Sequence, residues 1–263
     1  MDLGLAGKRA FVSGSTQGIG YAVAEALLRE GAAVVVNGRD EERVAAAAER
    51  LRAVVPGAEV TGLAADLADA GQTQRLLERL GDVDVLVNNV GTFEVKELAD
   101  LTDEDWQRHV DLNLMSGVRL SRHLLPRMLA AGWGRVLFVG TESAVDVPAG
   151  MLHYGATKAA ALALANGLAK LTRGTGVTVN TVLGGPTYSD GVAGTVRHLA
   201  EQQGVPEEAL KAAIIGANRT TLLERFLEPA EVAHLVVYLA SPLASATNGT
   251  ALRADGGVLT TTV

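Results

Sequence analysis

At 263 residues, with 48% hydrophobic and 20% charged side chains, the chain has the length and balance of one folded α/β domain with little left over for a disordered tail. A net charge of −7 and the lack of any Lys/Arg cluster argue against a nucleic-acid partner, and the absence of cysteine excludes disulfides, thiolate zinc sites and cysteine nucleophiles. No run approaches the roughly 20 apolar residues of a membrane span, and the start at Asp2 lacks a signal peptide's apolar stretch, so a soluble, cytoplasmic protein without a membrane partner is expected.

Along the chain, apolar runs at 10–12, 34–37, 60–64, 85–87, 135–139 and 177–182 alternate with amphipathic patterns such as 21–29 and 41–54. Short runs that are apolar throughout read as strands covered on both faces. Strand, helix, strand repeated this way predicts a single-domain, Rossmann-type doubly wound parallel sheet over residues 1–263, with helices on both faces.

The first of these strands runs into Ser13-Gly14-Ser15-Thr16-Gln17-Gly18-Ile19-Gly20 and then a helical pattern. Glycines let the backbone turn sharply and approach a pyrophosphate, while the helix start offers free N–H groups and the positive end of its dipole. The spacing is G-x-x-x-G-x-G, so a tight packing turn is the competing reading. At the end of the second strand the chain reads Val36-Asn37-Gly38-Arg39, with no carboxylate before Asp40. An acidic side chain there would hold a free ribose 2′-hydroxyl and repel a 2′-phosphate, whereas Arg39 can pair with the phosphate. NADP(H) is therefore the expected cofactor, with NAD(H) possible.

Further on, Tyr154-Gly155-Ala156-Thr157-Lys158 opens an Ala-rich helical stretch, and the i, i+4 spacing sets phenol and ammonium on one face. A cation beside a phenol stabilises phenolate and makes it a usable acid and base. Taken alone, the same spacing also describes a half-buried tyrosine beside an extended lysine. After the sixth strand, glycines and Pro206 interrupt helical stretches over about 187–226, which predicts a substrate lid or, alternatively, a plain surface insertion. The five histidines show no paired metal spacing, and Glu231-x-x-His234 is a single E-x-x-H element, so no metal is expected.

With these motifs in hand, the chain resembles the short-chain dehydrogenase/reductase family, in its 3-oxoacyl reductase-like branch, over nearly its whole length. The resemblance is carried by Gly14-x-x-x-Gly18-x-Gly20, Asp66-Leu67, Asn88-Asn89-Val90-Gly91, Asn113, a hydroxyl ahead of Tyr154-x-x-x-Lys158, and Asp255-Gly256-Gly257. It implies about seven strands and reversible reduction of a small carbonyl compound by hydride transfer. It also implies that Tyr154 is the general acid and base, Lys158 depresses its pKa and holds the ribose, and Asn113 positions a relay water. Residues 14–20 would cradle the pyrophosphate, Asn37 and Arg39 the ribose, and Asp66 and Leu67 the adenine. Asn88 and Gly91 would border the cofactor, while the backbone near Thr187 and the side chain of Ser189 meet the carboxamide. A homotetramer or homodimer would be built on the helices carrying Asn113 and Tyr154, where Ala159, Ala160, Ala163 and Gly167 allow close approach.

The departures from the family are specific. Thr141 stands where the substrate-orienting serine is usual, with Ser143 as the alternative, and Val90 replaces an alanine. Gly184-Gly185 replaces Pro-Gly, which loosens that turn, and Gln17 stands where some NADP-dependent relatives carry a cation. Competing readings are an NAD(H)-dependent alcohol dehydrogenase, or a cofactor-binding protein without efficient redox turnover, acting as a sensor, isomerase or dehydratase.

Overall fold

The structure, a computed structural model, describes residues 1–218 and 220–262. The first half runs β1 (Arg9–Val12), α1 (Gly18–Arg29), β2 (Ala33–Gly38), α2 (Glu41–Val54), β3 (Val60–Ala64), α3 (Ala70–Leu80) and β4 (Val85–Asn88). The second half continues with α4 (Asp103–His109), α5 (Ser116–Ala131), β5 (Trp133–Thr141), α6 (Leu152–Lys170), β6 (Gly176–Gly184), α7 (Asp190–Gln203), α8 (Glu207–Ala217), α9 (Pro229–Ala240) and β7 (Ala251–Ala254). The strands form one parallel sheet in the order β3-β2-β1-β4-β5-β6-β7, so the doubly wound architecture is as expected.

Valine-rich strands suit this position because successive side chains point to opposite faces and both faces are covered. Val34 and Val36 belong to the core under α1, α2 and α9, while Val35 between them joins the core under α3, α5 and α6. The order of strands reverses between β1 and β4, which opens a crevice at their carboxyl ends.

Helix starts differ in a way that shapes this crevice. Asp40 and Asp69 cap α2 and α3 by accepting from the N–H groups of Arg43 and Gln72, and Thr102 with Asp105 forms a capping box on α4. α1 begins at Gly18, three residues earlier than the apolar pattern suggests, and Gln17 gives it no side-chain cap. Its first N–H groups are therefore left without side-chain acceptors from the cap position. Between α4 and α5 the chain widens into a π-helical stretch, Val110–Met115, that carries Asn113.

The segment over 187–226 leaves the carboxyl end of β6 and holds α7 and α8. Its two ends are tied: Leu227 donates from N to the Pro186 carbonyl at 2.8 Å and accepts from Tyr188 N at 2.8 Å. The Tyr188 ring packs on Phe226 at 5.4 Å between centroids. Gly185 is required at its place, because a Cβ there would lie 2.4 Å from the carbonyl oxygen of Asp255. Among the described residues, no helix is long and apolar enough to cross a membrane.

Candidate active site

The glycine turn after β1 is held from three sides. Ser15 donates from Oγ to the Val12 carbonyl at 2.7 Å and accepts from Asn37 N at 3.0 Å. Asn37 Oδ1 accepts from Gly14 N at 3.3 Å, and its Nδ2 donates to the Leu63 carbonyl at 3.0 Å. Asn89 Nδ2 donates to the carbonyls of Ser13 and Gly14 at 3.0 and 2.9 Å. A Cβ on Gly20 would lie 2.4 Å from that Nδ2, so α1 approaches the turn as closely as glycine alone allows.

Asn37 is 1% exposed, and both ends of its amide hold the loop while the residue contributes to the lining of the cleft. Asn88 points to the other side of the sheet, where its Nδ2 meets Ser121 Oγ on α5 at 3.4 Å. The neighbouring Asn89, which sequence reasoning passed over, is the one on the cleft.

A cleft of about 580 Å³ runs along the carboxyl ends of β1 to β4, lined among others by Gly14, Thr16, Arg39, Asp66, Leu67 and Gly91. Arg43 also lines it, and its guanidinium donates to Gln17. Two guanidinium groups, Arg39 and Arg43, thus stand at the end of β2, where the sequence pointed to one. The nearby carboxylate of Asp40 is engaged, accepting from Arg43 N at 2.8 Å as the cap of α2.

The cleft continues past Asn89, Gly91, Tyr154, Lys158 and Ser189. Lys158 is buried, its Nζ donating to the Val139 carbonyl at 3.1 Å, and burial lowers its pKa to about 8. The Tyr154 phenol is pushed up to about 12, chiefly by burial, with the Thr141 hydroxyl opposing and the Glu142 carboxylate adding to the shift. Burial is the leading cause at both groups, raising the phenol and lowering the ammonium. Thr141, rather than Ser143, is the hydroxyl that acts on the phenol.

Asn113 is drawn into the site by its amide. Oδ1 accepts from Thr92 N at 2.7 Å, while Nδ2 donates to the Thr92 carbonyl at 3.0 Å and to Thr157 Oγ1 at 3.1 Å. With both ends engaged, its side chain ties the loop after β4 to α6. A Cβ on Gly91 would lie 3.1 Å from Asn113 Oδ1 and 3.2 Å from Lys158 Nζ, so these groups converge on one point. Ser189 borders the glycine turn, where a Cβ on Gly18 would meet it at 3.3 Å. Thr187 is buried, and its hydroxyl donates to the Gly185 carbonyl at 2.9 Å. Among the described residues, no group of three or more His, Asp or Glu side chains forms a metal cage.

Comparison with known proteins follows this geometry. Residues 8–199 match the family profile of the short chain dehydrogenases. The chain is 44% identical over 263 residues to the uncharacterized oxidoreductase YvrD of Bacillus subtilis, covering 98% of this chain and 99% of that one. It is 32% identical over 260 residues to the 3-oxoacyl-[acyl-carrier-protein] reductase FabG of Vibrio harveyi, covering 97% and 99%. The crystal structure of L-sorbose reductase from Gluconobacter frateurii, complexed with NADPH and L-sorbose, superimposes with a TM-score of 0.94 at 32% identity, covering 99% of this chain and 100% of that one.

Proposed function

The chain belongs to the short-chain dehydrogenase family of oxidoreductases, and on that footing we propose that it reversibly reduces a ketone or aldehyde to the alcohol, with NADPH preferred over NADH. The observation that carries this reading is the meeting of Tyr154, Thr141 and Lys158 at the end of a cleft that begins in a glycine cradle. When bound, the reduced nicotinamide supplies the hydride.

The residues present fit such a cofactor. The uncapped start of α1 and the close approach allowed by Gly20 suit a pyrophosphate, Asp66 and Leu67 flank the place for adenine, and Arg39 and Arg43 suit a 2′-phosphate. Gly91 leaves room beside Lys158 for the nicotinamide ribose, and Ser189 borders the carboxamide end.

Tyr154 stays protonated through the neutral range, as a general acid for reduction must, and donates its phenolic proton to the carbonyl oxygen. Thr141 orients that oxygen, while Lys158 holds a donor beside the ribose and Asn113 fixes the loop that carries Gly91. The same phenolate accepts the proton in alcohol oxidation. Ala160, Ala163 and Gly167 are exposed along α6, which suits a homodimer or homotetramer built on that helix.

The test is a panel of carbonyl compounds followed by loss of the reduced-nicotinamide absorbance with NADPH and with NADH. Turnover is expected with NADPH, and Tyr154→Phe is expected to abolish it while still binding the cofactor. Equal turnover in Tyr154→Phe would overturn the assignment.

A further inference from the structure

Thr141 does not present a free proton to a substrate. Its Oγ1 donates to Glu142 Oε2 at 2.5 Å and accepts from Ser143 N at 3.2 Å, leaving one lone pair, which is the part of the hydroxyl left for the Tyr154 phenol. A bare ketone offers only lone pairs, so it gains nothing from Thr141 in this arrangement unless Glu142 receives another donor. A hydroxyl on the carbon next to the carbonyl supplies that donor. It gives its hydrogen bond to the Glu142 carboxylate, and the Thr141 proton turns to the carbonyl oxygen, so that the one Thr141–Glu142 hydrogen bond is exchanged for two with no covalent bond broken.

The charge around Glu142 points the same way. Half-buried beside Tyr154, it faces Tyr154 from α6 and Asp255 from the turn after β7, and burial and Asp255 both hold its carboxyl above the usual range. Among the described residues Glu142 takes part in no ion pair, and its side-chain partner is the Thr141 hydroxyl. The nearby Arg253 is already paired with Asp255 at 2.9 Å, and Lys96 with Asp105 at 2.6 Å. A substrate carboxylate bound next to Thr141 would meet the acidic groups of Glu142 and Asp255, with Lys158, whose Nζ already donates to the Val139 carbonyl at 3.1 Å, as the cation on the cofactor side of the phenol.

We propose that Glu142, acting with Thr141, is a specificity-determining residue that selects uncharged carbonyl substrates bearing a hydroxyl on the adjacent carbon. This rests on the carbonyl-reductase reading above. It makes the reverse substrates uncharged vicinal diols.

The experiment compares NADPH-dependent reduction of hydroxyacetone, 2-butanone and 3-oxobutyrate by the wild type, Glu142→Gln and Glu142→Leu, with 2,3-butanedione as a reactive control. The wild type is expected to favour hydroxyacetone over 2-butanone by about tenfold or more in kcat/KM, the worth of a hydrogen bond to a charged group, and Glu142→Leu to erase that preference. Glu142→Gln, which keeps the shape and loses the charge, is expected to raise 3-oxobutyrate relative to hydroxyacetone. Equal use of 2-butanone by the wild type, or unchanged ratios in both variants, overturns the proposal.

A readout without turnover stands beside these rates. In the presence of NADP⁺, 1,2-propanediol is expected to raise the melting temperature of the wild type more than 1-propanol does, and Glu142→Leu to lose the difference. No difference in the wild type also overturns the proposal. Failure to reduce even 2,3-butanedione refutes the carbonyl-reductase reading itself, and the melting comparison then still decides whether Glu142 recognises the diol.

Discussion

Asp190, the first residue of α7, accepts a hydrogen bond of 2.6 Å from the backbone N–H of Gly18 at the start of α1. Its carboxylate lies at the positive end of the helix that Gln17 leaves without a cap, the end that would face a pyrophosphate. The beginning of the 187–226 segment is thus fastened to the glycine turn by an acidic group that an incoming phosphate must displace or tolerate. Asp190→Asn removes the charge with little change in shape. A charge at a helix terminus is worth about 1 kcal/mol, so the variant should bind NADPH roughly fivefold more tightly. Nicotinamide fluorescence titration checks this, and weaker binding in the variant would assign Asp190 to supporting the turn instead.

At the other end of the cleft, Arg39 and Arg43 are exposed and carry no core packing. Each is expected to weaken NADPH binding about tenfold when changed to alanine, through loss of a charge-assisted bond, and to leave NADH binding unchanged. Parallel titrations with the two cofactors measure it. A loss shared equally by NADH would mean that the arginines serve the loop and not the 2′-phosphate.

How far the sequence spoke for this site depended on the range of each interaction. The valine runs of β2, β4 and β6 were legible because a strand buried on both faces must be apolar throughout, and the glycine spacing because a cradle needs glycine. β7, with Ala251-Leu-Arg-Ala254, carries no such run and was foreseen only through the resemblance. Asn88 ends β4 and Asn89 is the first residue past it, and their amides turn to different partners, Ser121 on α5 and the glycine turn, a choice that composition does not make. Arg43 reaches the cleft because α2 starts at Glu41, and Asp190 meets Gly18 across 172 positions of chain, a distance at which no local pattern speaks.

Lys158 illustrates a conflict between activity and stability. Its pKa falls from the usual 10.5 to about 8 through burial alone, so at neutral pH the folded protein holds a charge that the unfolded chain solvates better. A shift of this size corresponds to about 3 kcal/mol, of which roughly 1–2 kcal/mol is offset by the bond to the Val139 carbonyl that a replacement would lose. Lys158→Met is therefore expected to abolish turnover and yet raise the melting temperature by several degrees at pH 7, measured without added cofactor.

The sign of the pH dependence follows from the same shift. From about pH 8 to 10.5 the unfolded chain binds the lysine proton more than the folded one, so wild-type stability rises with pH across that window. Above it Tyr154, raised to about 12, reverses the slope. Lys158→Met should flatten the rising limb and keep the falling one.

Gly91 tests whether the lysine must sit where it does. An alanine methyl there would press on Asn113 Oδ1 at 3.1 Å and Lys158 Nζ at 3.2 Å, contacts that yield only if one of the two groups moves by a few tenths of an ångström. Asn113 is the less free to move, since its amide is engaged at both ends, so the displacement falls on the lysine. Small misplacements of positioned groups are costly, and Gly91→Ala should lower kcat by about tenfold, with little loss of stability because no cavity or buried polar group is created. Turnover at saturating NADPH, read beside the dissociation constant of NADPH, separates two outcomes. A slower enzyme with unchanged affinity ties Gly91 to the placement of Lys158, whereas lost affinity with full turnover would make Gly91 a cradle residue only.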